Sequence, residues 1–197
     1  MPEPPEGSTP GVPGPSEPDP GLGVYVHFPW CIKKCPYCDF LSIPTAQEDI
    51  PHARYADAVL AELEARRVEL GERRLRSVFF GGGTPSMWKS RELGRVLRGI
   101  RATFDAGGAT PEITVECNPG SLGPDKARAL LDAGVNRLSI GVQALDDARL
   151  RFLGRWHDAA RALTSVEAAV RSGMPRVSAD LIYGVAEQTP ESAAAEV

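Results

Sequence analysis

Three of the four cysteines in this 197-residue chain fall within eight residues, as Cys31, Cys35 and Cys38. The CxxxCxxC spacing on a short loop lets three thiolates converge on one centre. One position of a four-iron cluster, or of a tetrahedral metal, is then left for another ligand. A substrate or cofactor could bind there. Lys33 and Lys34 lie between the thiols, and their charge is expected to favour the thiolate form that binds metal.

Two other interpretations of these cysteines remain open at this point. A structural zinc site normally has four protein ligands, so it would have to recruit His27 or the distant Cys117. A disulfide is less favoured, because three clustered cysteines cannot pair off and nothing in the sequence marks secretion. The spacing therefore favours an iron-sulfur cluster with an open position.

Polar side chains recur on one face of the later predicted strands. In the strand over residues 137–143, Leu138, Ile140 and Val142 alternate with smaller or polar residues, and the neighbouring strands repeat the pattern. Parallel strands that helices cover on both faces are usually apolar throughout. We therefore expect helices on the apolar face only, with the other face lining a lumen that holds a polar ligand. Three residues near the carboxyl ends of these strands would lie there: Glu116, Gln143 and Asp180. The alternative is that they are strand-end residues satisfied by neighbouring backbone.

A glycine-rich stretch, GGGTP at residues 81–85, follows a strand that is predicted to end at Phe80. Glycines at such a position let a ligand approach the backbone without a Cβ in the way. The stretch matches neither the phosphate-binding loop nor the dinucleotide fingerprint. Taken alone, it is as typical of a turn as of a binding site.

The elements that would position these residues alternate along the chain. Strands are predicted over residues 24–28, 77–80, 112–117, 137–143 and 176–183. Helices are predicted over about 48–70, through the apolar stripe from Leu93 to Phe104, and over 124–133, 149–155 and 159–170, with a further helix starting at Thr189. About five strand and helix units in alternation predict an α/β fold with a parallel sheet, either curled or open.

Composition limits the remaining possibilities. The chain is 42% hydrophobic, which is enough for one substantial core and one domain. Residues 1–23 are rich in proline and glycine, and we expect a disordered lead-in before a domain over residues 24–197. Acidic and basic residues balance beyond residue 24, which gives no case for nucleic-acid binding. No apolar run approaches the ~20 residues of a membrane span, and clustered free thiols suit a reducing cytoplasm.

The cysteine segment and the stretches after it resemble the radical S-adenosylmethionine (radical SAM) superfamily, whose signature is CxxxCxxC with an aromatic residue, here Tyr37, before the last cysteine. Within it, the chain is similar to the oxygen-independent coproporphyrinogen III oxidase-like family. Five stretches carry this resemblance in the family's order: YVHFP (25–29), FGGGTPS (80–86), ECNP (116–119), RLSIGVQ (137–143) and DLIYG (180–184). One such motif is weak support, whereas five in register are specific.

The resemblance implies a partial (β/α) barrel of the radical SAM type, with Cys31, Cys35 and Cys38 as ligands of a [4Fe-4S] cluster. S-adenosylmethionine would complete the cluster and be reductively cleaved to a radical that abstracts hydrogen from a substrate. The resemblance also implies an electron donor of the flavodoxin or ferredoxin type. The positions that match its cofactor-binding residues are Tyr25, Tyr37, Gly82, Gly83, Thr84, Glu116, Gln143, Arg155 and Asp180. His27 is expected to face the lumen, in a supporting or structural role.

The chain also departs from the family pattern. Oxidases that decarboxylate coproporphyrinogen have a further cysteine two residues past the third ligand, where this chain has Phe40. This favours the heme-chaperone branch of the family, with heme and heme-accepting proteins as partners of the full-length form. The branch's C-terminal heme motif is not present, so we expect a radical SAM core that is incomplete at its C-terminus. An oxidase and a non-catalytic zinc module are the two alternative functions.

Overall fold

The computed structural model of the protein describes residues 21–196. Most of the predicted lead-in over residues 1–23 therefore lies outside the described residues. Leu22 and Gly23 nevertheless pair with Leu75 and Ser77 of the neighbouring strand. The first strand thus begins two residues earlier than predicted.

A five-stranded sheet is the centre of the structure. Its strands are β1 (Leu22–Phe28), β4 (Leu75–Gly82), β5 (Glu112–Cys117), β6 (Arg137–Gln143) and β7 (Arg176–Leu181). Two short strands, β2 (Trp30–Cys31) and β3 (Ile43–Pro44), form a separate pair next to it. The helices are α1 (His52–Leu70), α2 (Ser90–Thr103), α3 (Pro124–Asp132), α4 (Asp147–Phe152), α5 (Ala159–Arg171) and α6 (Pro190–Ala194).

The five strands are all parallel and lie in sequence order, β1-β4-β5-β6-β7. Right-handed crossovers between strands in this order place the connecting helices on one face of the sheet. The helices accordingly contact one another in turn, α1 with α2, α2 with α3, and α3 with α5. This arrangement is a partial (β/α) barrel, which confirms the predicted fold class.

The hydrophobic core lies between the sheet and the helices. The apolar residues of alternating strand positions, such as Ile113, Val115, Leu138 and Ile140, have no exposed surface. On the opposite face, Glu116 and Gln143 are half-buried. The helices therefore cover only the apolar face, as the alternation predicts, and the polar face is left to line the lumen.

Some element bounds differ from the predicted ones. The helix predicted from residue 48 begins at His52, because Pro51 separates it from a 3-10 turn over Gln47–Asp49. The helix predicted over residues 149–155 is α4, which begins earlier because the side chain of Asp146 caps it. This helix ends before Gly154, which has a φ of +70°. Within residues 21–196, no helix has the length and apolar character that crossing a bilayer requires.

Candidate functional site

A cleft of about 340 Å³ opens where the strands of the sheet reach their carboxyl ends. It lies on the lumen face and is closed on one side by the loop that carries the cysteines. All the predicted site residues line it except Tyr25: Cys31, Cys35, Tyr37, Cys38, Gly82, Gly83, Thr84, Glu116, Gln143, Arg155 and Asp180. The fold thus brings together residues that are up to 149 positions apart in sequence.

The three clustered cysteines lie at the end of β2 and in the loop that leads to β3, and all are free thiols. Cys31 and Cys35 are buried and Cys38 is half-buried. A turn closed by the bond from the Cys38 N–H to the Cys35 carbonyl, 3.0 Å long, brings the second and third cysteines together. The Cys31 carbonyl accepts from the N–H of Thr45 at 2.8 Å, which anchors the start of the loop.

The lysines of the loop act only partly as predicted, because burial outweighs the charge of Lys34, which lowers the pKa of the Cys31 thiol. Burial raises the pKa of the Cys31 thiol, and the opposing effects of Ser42 and Lys34 do not cancel this shift. The Nζ atoms of Lys33 and Lys34 donate to backbone carbonyls, those of Gly154 at 3.2 Å and Phe40 at 3.3 Å. The lysines therefore fasten the loop, while desolvation decides the protonation of Cys31 in the unliganded chain.

Two glycines let the cysteine loop lie directly against β4. A Cβ atom on Gly83 would come 2.5 Å from the Trp30 carbonyl oxygen, and one on Gly82 would come 2.7 Å from the His27 ring. Gly82 also has a φ of +112°. The prediction placed these glycines after the strand, but β4 continues to Gly82 because Gly81 and Gly82 pair with His27 and Phe28 of β1. The Gly83 N–H then donates to the Phe28 carbonyl at 2.7 Å.

Glu116 and Asp180 place carboxylates on the lumen face. The Gly82 N–H donates to Glu116 Oε2 at 3.1 Å, which links the glycine stretch to β5. Burial raises the pKa of the Glu116 carboxyl; this N–H opposes the shift and the charge of Asp180 adds to it. Asp180 accepts from Ser139 Oγ at 2.9 and 2.8 Å through its two oxygens. Both carboxylates are thus held by the protein and keep free lone pairs toward the cleft.

Gln143 ends β6 in an unusual backbone conformation. Its φ is +71°, and the pairing of β6 with β7 is irregular between Ile140 and Gln143. Such a φ is uncommon for a residue other than glycine and occurs often at binding sites. A Cβ on Gly141 would lie 2.5 Å from Gln143 Nε2, so the amide group of Gln143 packs directly over Gly141. The strand end thereby turns the Gln143 side chain into the cleft.

Arg155 connects the end of the sheet to the cysteine loop. Its Nη1 lies 3.5 Å from Cys35 Sγ and 3.3 Å from the Tyr37 hydroxyl, while Nη2 donates to the Gly141 carbonyl at 3.1 Å. Its Nε is buried and finds no hydrogen-bond partner among the described residues. The guanidinium group therefore braces the loop through Nη1 and Nη2, while its Nε is left unpaired in the unliganded chain.

Tyr25 and His27 lie on the lumen face of β1, beside the cleft rather than in its lining. The Tyr25 hydroxyl and His27 Nδ1 are 3.1 Å apart, and His27 Nε2 lies 2.8 Å from the Leu41 carbonyl. His27 thus ties the segment after the cysteines to β1, which agrees with a structural role. Tyr25 stacks on Phe79, with ring centroids 6.1 Å apart.

The fourth cysteine is separate from the other three in chemical character. Cys117 is 5% exposed, belongs to the hydrophobic core, and donates to the Val115 carbonyl at 3.6 Å. Burial raises the pKa of its thiol to about 12. Within residues 21–196, no three side chains of His, Cys, Asp or Glu are grouped as they would be around a single metal ion.

Comparison with known proteins identifies the family. The profile of the Radical SAM superfamily matches residues 25–195, which is most of the chain. This chain belongs to the radical SAM superfamily. Members of the superfamily use a [4Fe-4S] cluster with S-adenosylmethionine, so membership implies the same cofactors for this chain.

Individual relatives show which members of the superfamily this chain is similar to. The chain is 38% identical over 178 residues to the heme chaperone HemW of Haemophilus influenzae, an alignment that covers 88% of this chain and 46% of the relative. It is 40% identical over 179 residues to the mitochondrial radical S-adenosyl methionine domain-containing protein 1 of Bos taurus, covering 89% of this chain and 40% of that one. The chain therefore spans less than half the length of the curated relatives it matches.

A solved structure supports the assignment of the fold. The coproporphyrinogen III oxidase HemN of Escherichia coli, described as a radical SAM enzyme, superposes with a TM-score of 0.76 at 31% identity. The match covers 89% of this chain and 40% of the oxidase. The partial barrel described above is thus the radical SAM fold.

The residues of the cleft fit the radical SAM cofactors. Three unpaired cysteines line the cleft together with two carboxylates and Arg155, whose Nε has no partner among the described residues. Carboxylates accept from amino and ribose hydroxyl groups, while a guanidinium donates to a carboxylate. The donor set therefore suits an iron-sulfur cluster next to a zwitterionic nucleoside.

Several cleft residues were missed by the sequence analysis. The cleft is also lined by Ser42, Asn118, Ser139, Gly141 and Ile182. Ser139 and Gly141 belong to the same alternating face as Gln143, so the strand pattern already contained the signal for them. Asn118 lies in the ECNP stretch, but nothing in the pattern distinguishes it from a turn residue.

Replacing Asp180 by asparagine is expected to weaken S-adenosylmethionine binding about tenfold without loss of iron. The substitution removes a charged acceptor from the cleft but keeps the shape of the side chain, and a hydrogen bond to a charged group contributes about 1.5–3 kcal/mol. The measurement is calorimetric titration of the reconstituted protein. Asp132→Asn, which removes an exposed ion pair with Arg128, is the matched control and should have no effect. Unchanged affinity in Asp180→Asn would make Asp180 a purely structural residue.

Proposed function

We propose that this chain is the cofactor-binding core of a radical SAM protein that acts in heme trafficking. Cys31, Cys35 and Cys38 bind the [4Fe-4S] cluster in this proposal, and the polar lumen wall binds S-adenosylmethionine. The main support for this proposal is that one cleft is lined by both the three thiols and the lumen residues. The chain is also 38% identical to a heme chaperone.

The bound cofactors would supply one-electron chemistry, and the protein supplies binding, orientation and shelter from water. The glycine stretch at Gly82 and Gly83 presents backbone groups at the cleft, and Glu116 accepts from amino or hydroxyl groups. The guanidinium group of Arg155, which lines the cleft, suits the carboxylate of the ligand. Tyr37, whose pKa burial raises to about 12, stays a neutral phenol beside the cysteines.

Phe40 is the reason to prefer a chaperone over an oxidase. It lines the cleft where the oxidases related to this family have a further cysteine, and its side chain is 61% exposed. Phenylalanine can neither donate a proton nor bind metal.

The structural similarity to the coproporphyrinogen III oxidase HemN favours the oxidase as the second candidate. The proposal also includes heme as the ligand and a flavodoxin or ferredoxin as the electron donor. It places the protein in the cytoplasm.

Anaerobic reconstitution with iron and sulfide tests this proposal. We expect about four iron atoms per chain and an electron paramagnetic resonance signal of the reduced cluster that changes when S-adenosylmethionine is added. One zinc and no iron per chain would instead favour the non-catalytic metal module. If the signal of the cluster did not change on addition of S-adenosylmethionine, the proposal that S-adenosylmethionine binds the open iron position would be contradicted.

Two further assays, made on the full-length protein that contains this core, separate the chaperone from the oxidase. Heme titration should give a shifted Soret band, and incubation with coproporphyrinogen III under reducing conditions should give no decarboxylated product. Porphyrinogen turnover would favour the oxidase despite Phe40. If the protein neither bound heme nor turned over porphyrinogen, a role in heme trafficking would be contradicted.

A further inference from the structure

Ser139 is the buried partner of a carboxylate that is otherwise exposed. It lies on β6 with 8% of its surface accessible, and its Oγ is 2.9 and 2.8 Å from the two oxygens of Asp180 on β7. Asp180 itself is exposed. A free aspartate in such a position can rotate between solvent and cleft, whereas a hydroxyl shared between its two oxygens favours one rotamer.

The hydroxyl of Ser139 is in turn oriented by its neighbours. Ser178 Oγ donates to Ser139 Oγ at 3.2 Å, and Arg137 Nη2 donates to Ser178 Oγ at 3.3 Å. The hydroxyl hydrogen of Ser139 is directed at Asp180, because a carboxylate can only accept. Ser139 Oγ in turn accepts from Ser178 Oγ, which also lies 3.5 Å from the Leu138 carbonyl. This chain of bonds crosses between β6 and β7 and ends at the cleft.

We propose that Ser139 is a positioning residue that holds the Asp180 carboxylate toward a ribose or amino group of the cofactor. The inference rests on the proposed function, because it assumes that Asp180 contacts S-adenosylmethionine. Ser139 keeps one side of the carboxylate occupied and leaves the other side for the ligand. Its hydroxyl is used by Asp180, so its effect on the ligand passes through that residue.

Direct contact between Ser139 and the ligand is the competing explanation, because Ser139 also lines the cleft. A double-mutant cycle separates the two. If Ser139 acts through Asp180, then Ser139→Ala has no effect once Asp180 is already alanine. If Ser139 contacts the ligand by itself, the effects of the two substitutions multiply.

The experiment uses calorimetric titration of S-adenosylmethionine into reconstituted wild type, Ser139→Ala, Asp180→Ala and the double variant. We expect Ser139→Ala to raise Kd about tenfold, and the double variant to bind like Asp180→Ala alone. Ser139→Thr, which keeps the hydroxyl, should restore tight binding. Ser178→Ala is the matched control one step further from the ligand, and it should change Kd by less than about twofold.

Iron content and circular dichroism of each variant establish that the cluster and fold are intact. Multiplying effects, or an unchanged Kd in Ser139→Ala, would overturn the positioning role while leaving the proposed function standing. Absence of S-adenosylmethionine binding to the reconstituted wild type would overturn the proposed function, and this inference with it.

Discussion

Replacing Cys35 by alanine is expected to abolish iron-sulfur cluster formation and to leave the helical content of the protein unchanged. A cluster held by three cysteines loses one of its three terminal thiolate ligands, which no other side chain of the loop can replace. The fold should persist because neither Cys31 nor Cys35 belongs to the hydrophobic core between sheet and helices. Iron and sulfide analysis after anaerobic reconstitution measures the first effect, and circular dichroism measures the second.

Cys117 provides the matched control for this variant. It is the remaining cysteine, it packs in the core at the edge of the cleft, and burial raises the pKa of its thiol to about 12. Cys117→Ala should therefore keep the full iron content. The same change should lower the free energy of unfolding by about 0.5–1.5 kcal/mol, the usual cost of removing one buried methyl-sized group. Full iron content in Cys35→Ala would show that Cys35 is no ligand, and iron loss in Cys117→Ala would point to a site built with the fourth cysteine.

A Gly83→Ala substitution should destabilise the protein and reduce its iron content together. The added Cβ would lie 2.5 Å from the Trp30 carbonyl oxygen and 2.9 Å from that of Pro29, closer than real contacts allow. Both atoms are backbone, so the strand that enters the cysteine loop must move. That movement breaks the bonds from Gly83 to Phe28 and from Thr84 to Trp30, which hold the loop on β4.

The expected loss of stability in Gly83→Ala is about 1–3 kcal/mol, as for other added methyl groups in well-packed sites. Thermal unfolding and iron analysis of the reconstituted protein measure the two effects. Gly123→Ala is the control, because a Cβ at Gly123 meets no atom within 4 Å and the residue has an ordinary extended backbone with φ of −126°. Equal stability and iron content in the two variants would mean that the loop does not depend on the close approach at Gly83.

The consequences of Gly83 and Cys35 differ because the two residues serve the cluster in different ways. Cys35 supplies a ligand atom, so Cys35→Ala removes one bond to iron without disturbing the sheet. Gly83 leaves room for the neighbouring backbone because it has no side chain, so Gly83→Ala moves the segment that carries Cys31. A variant that loses iron and stability in parallel is therefore distinguishable from one that loses iron alone.

Residue periodicity allowed most of the fold to be predicted. The strand over residues 137–143 was placed with the bounds that the structure gives, because Leu138, Ile140 and Val142 alternate with residues of the lumen face. The same alternation placed Glu116 and Asp180 in the cleft. Local chemistry also sufficed for Thr189, whose side chain caps α6 as the Thr-Pro pair predicted. The predicted start of α4 at residue 149 was wrong, because the capping residue Asp146 starts the helix before the periodic residues begin.

Electrostatic expectations from sequence proximity were less successful. Lys33 and Lys34 are adjacent to the cysteines in the chain, but their amino groups donate to carbonyls of the loop's surroundings. Burial, which proximity in sequence does not report, raises the pKa of Cys31. The energy of desolvation depends on how many atoms surround the thiol, and those atoms come from the whole fold.

The sequence by itself determined the alternating strands and helices, the three clustered thiols and the polar lumen face, because each depends on side chains at fixed spacing within one element. Only the tertiary structure decided which long-range contacts complete the site. Arg155 reaches Cys35 across 120 positions, and Ser139 reaches Asp180 across 41. These contacts depend on strand register and on a loop without periodicity, so no local pattern encodes them.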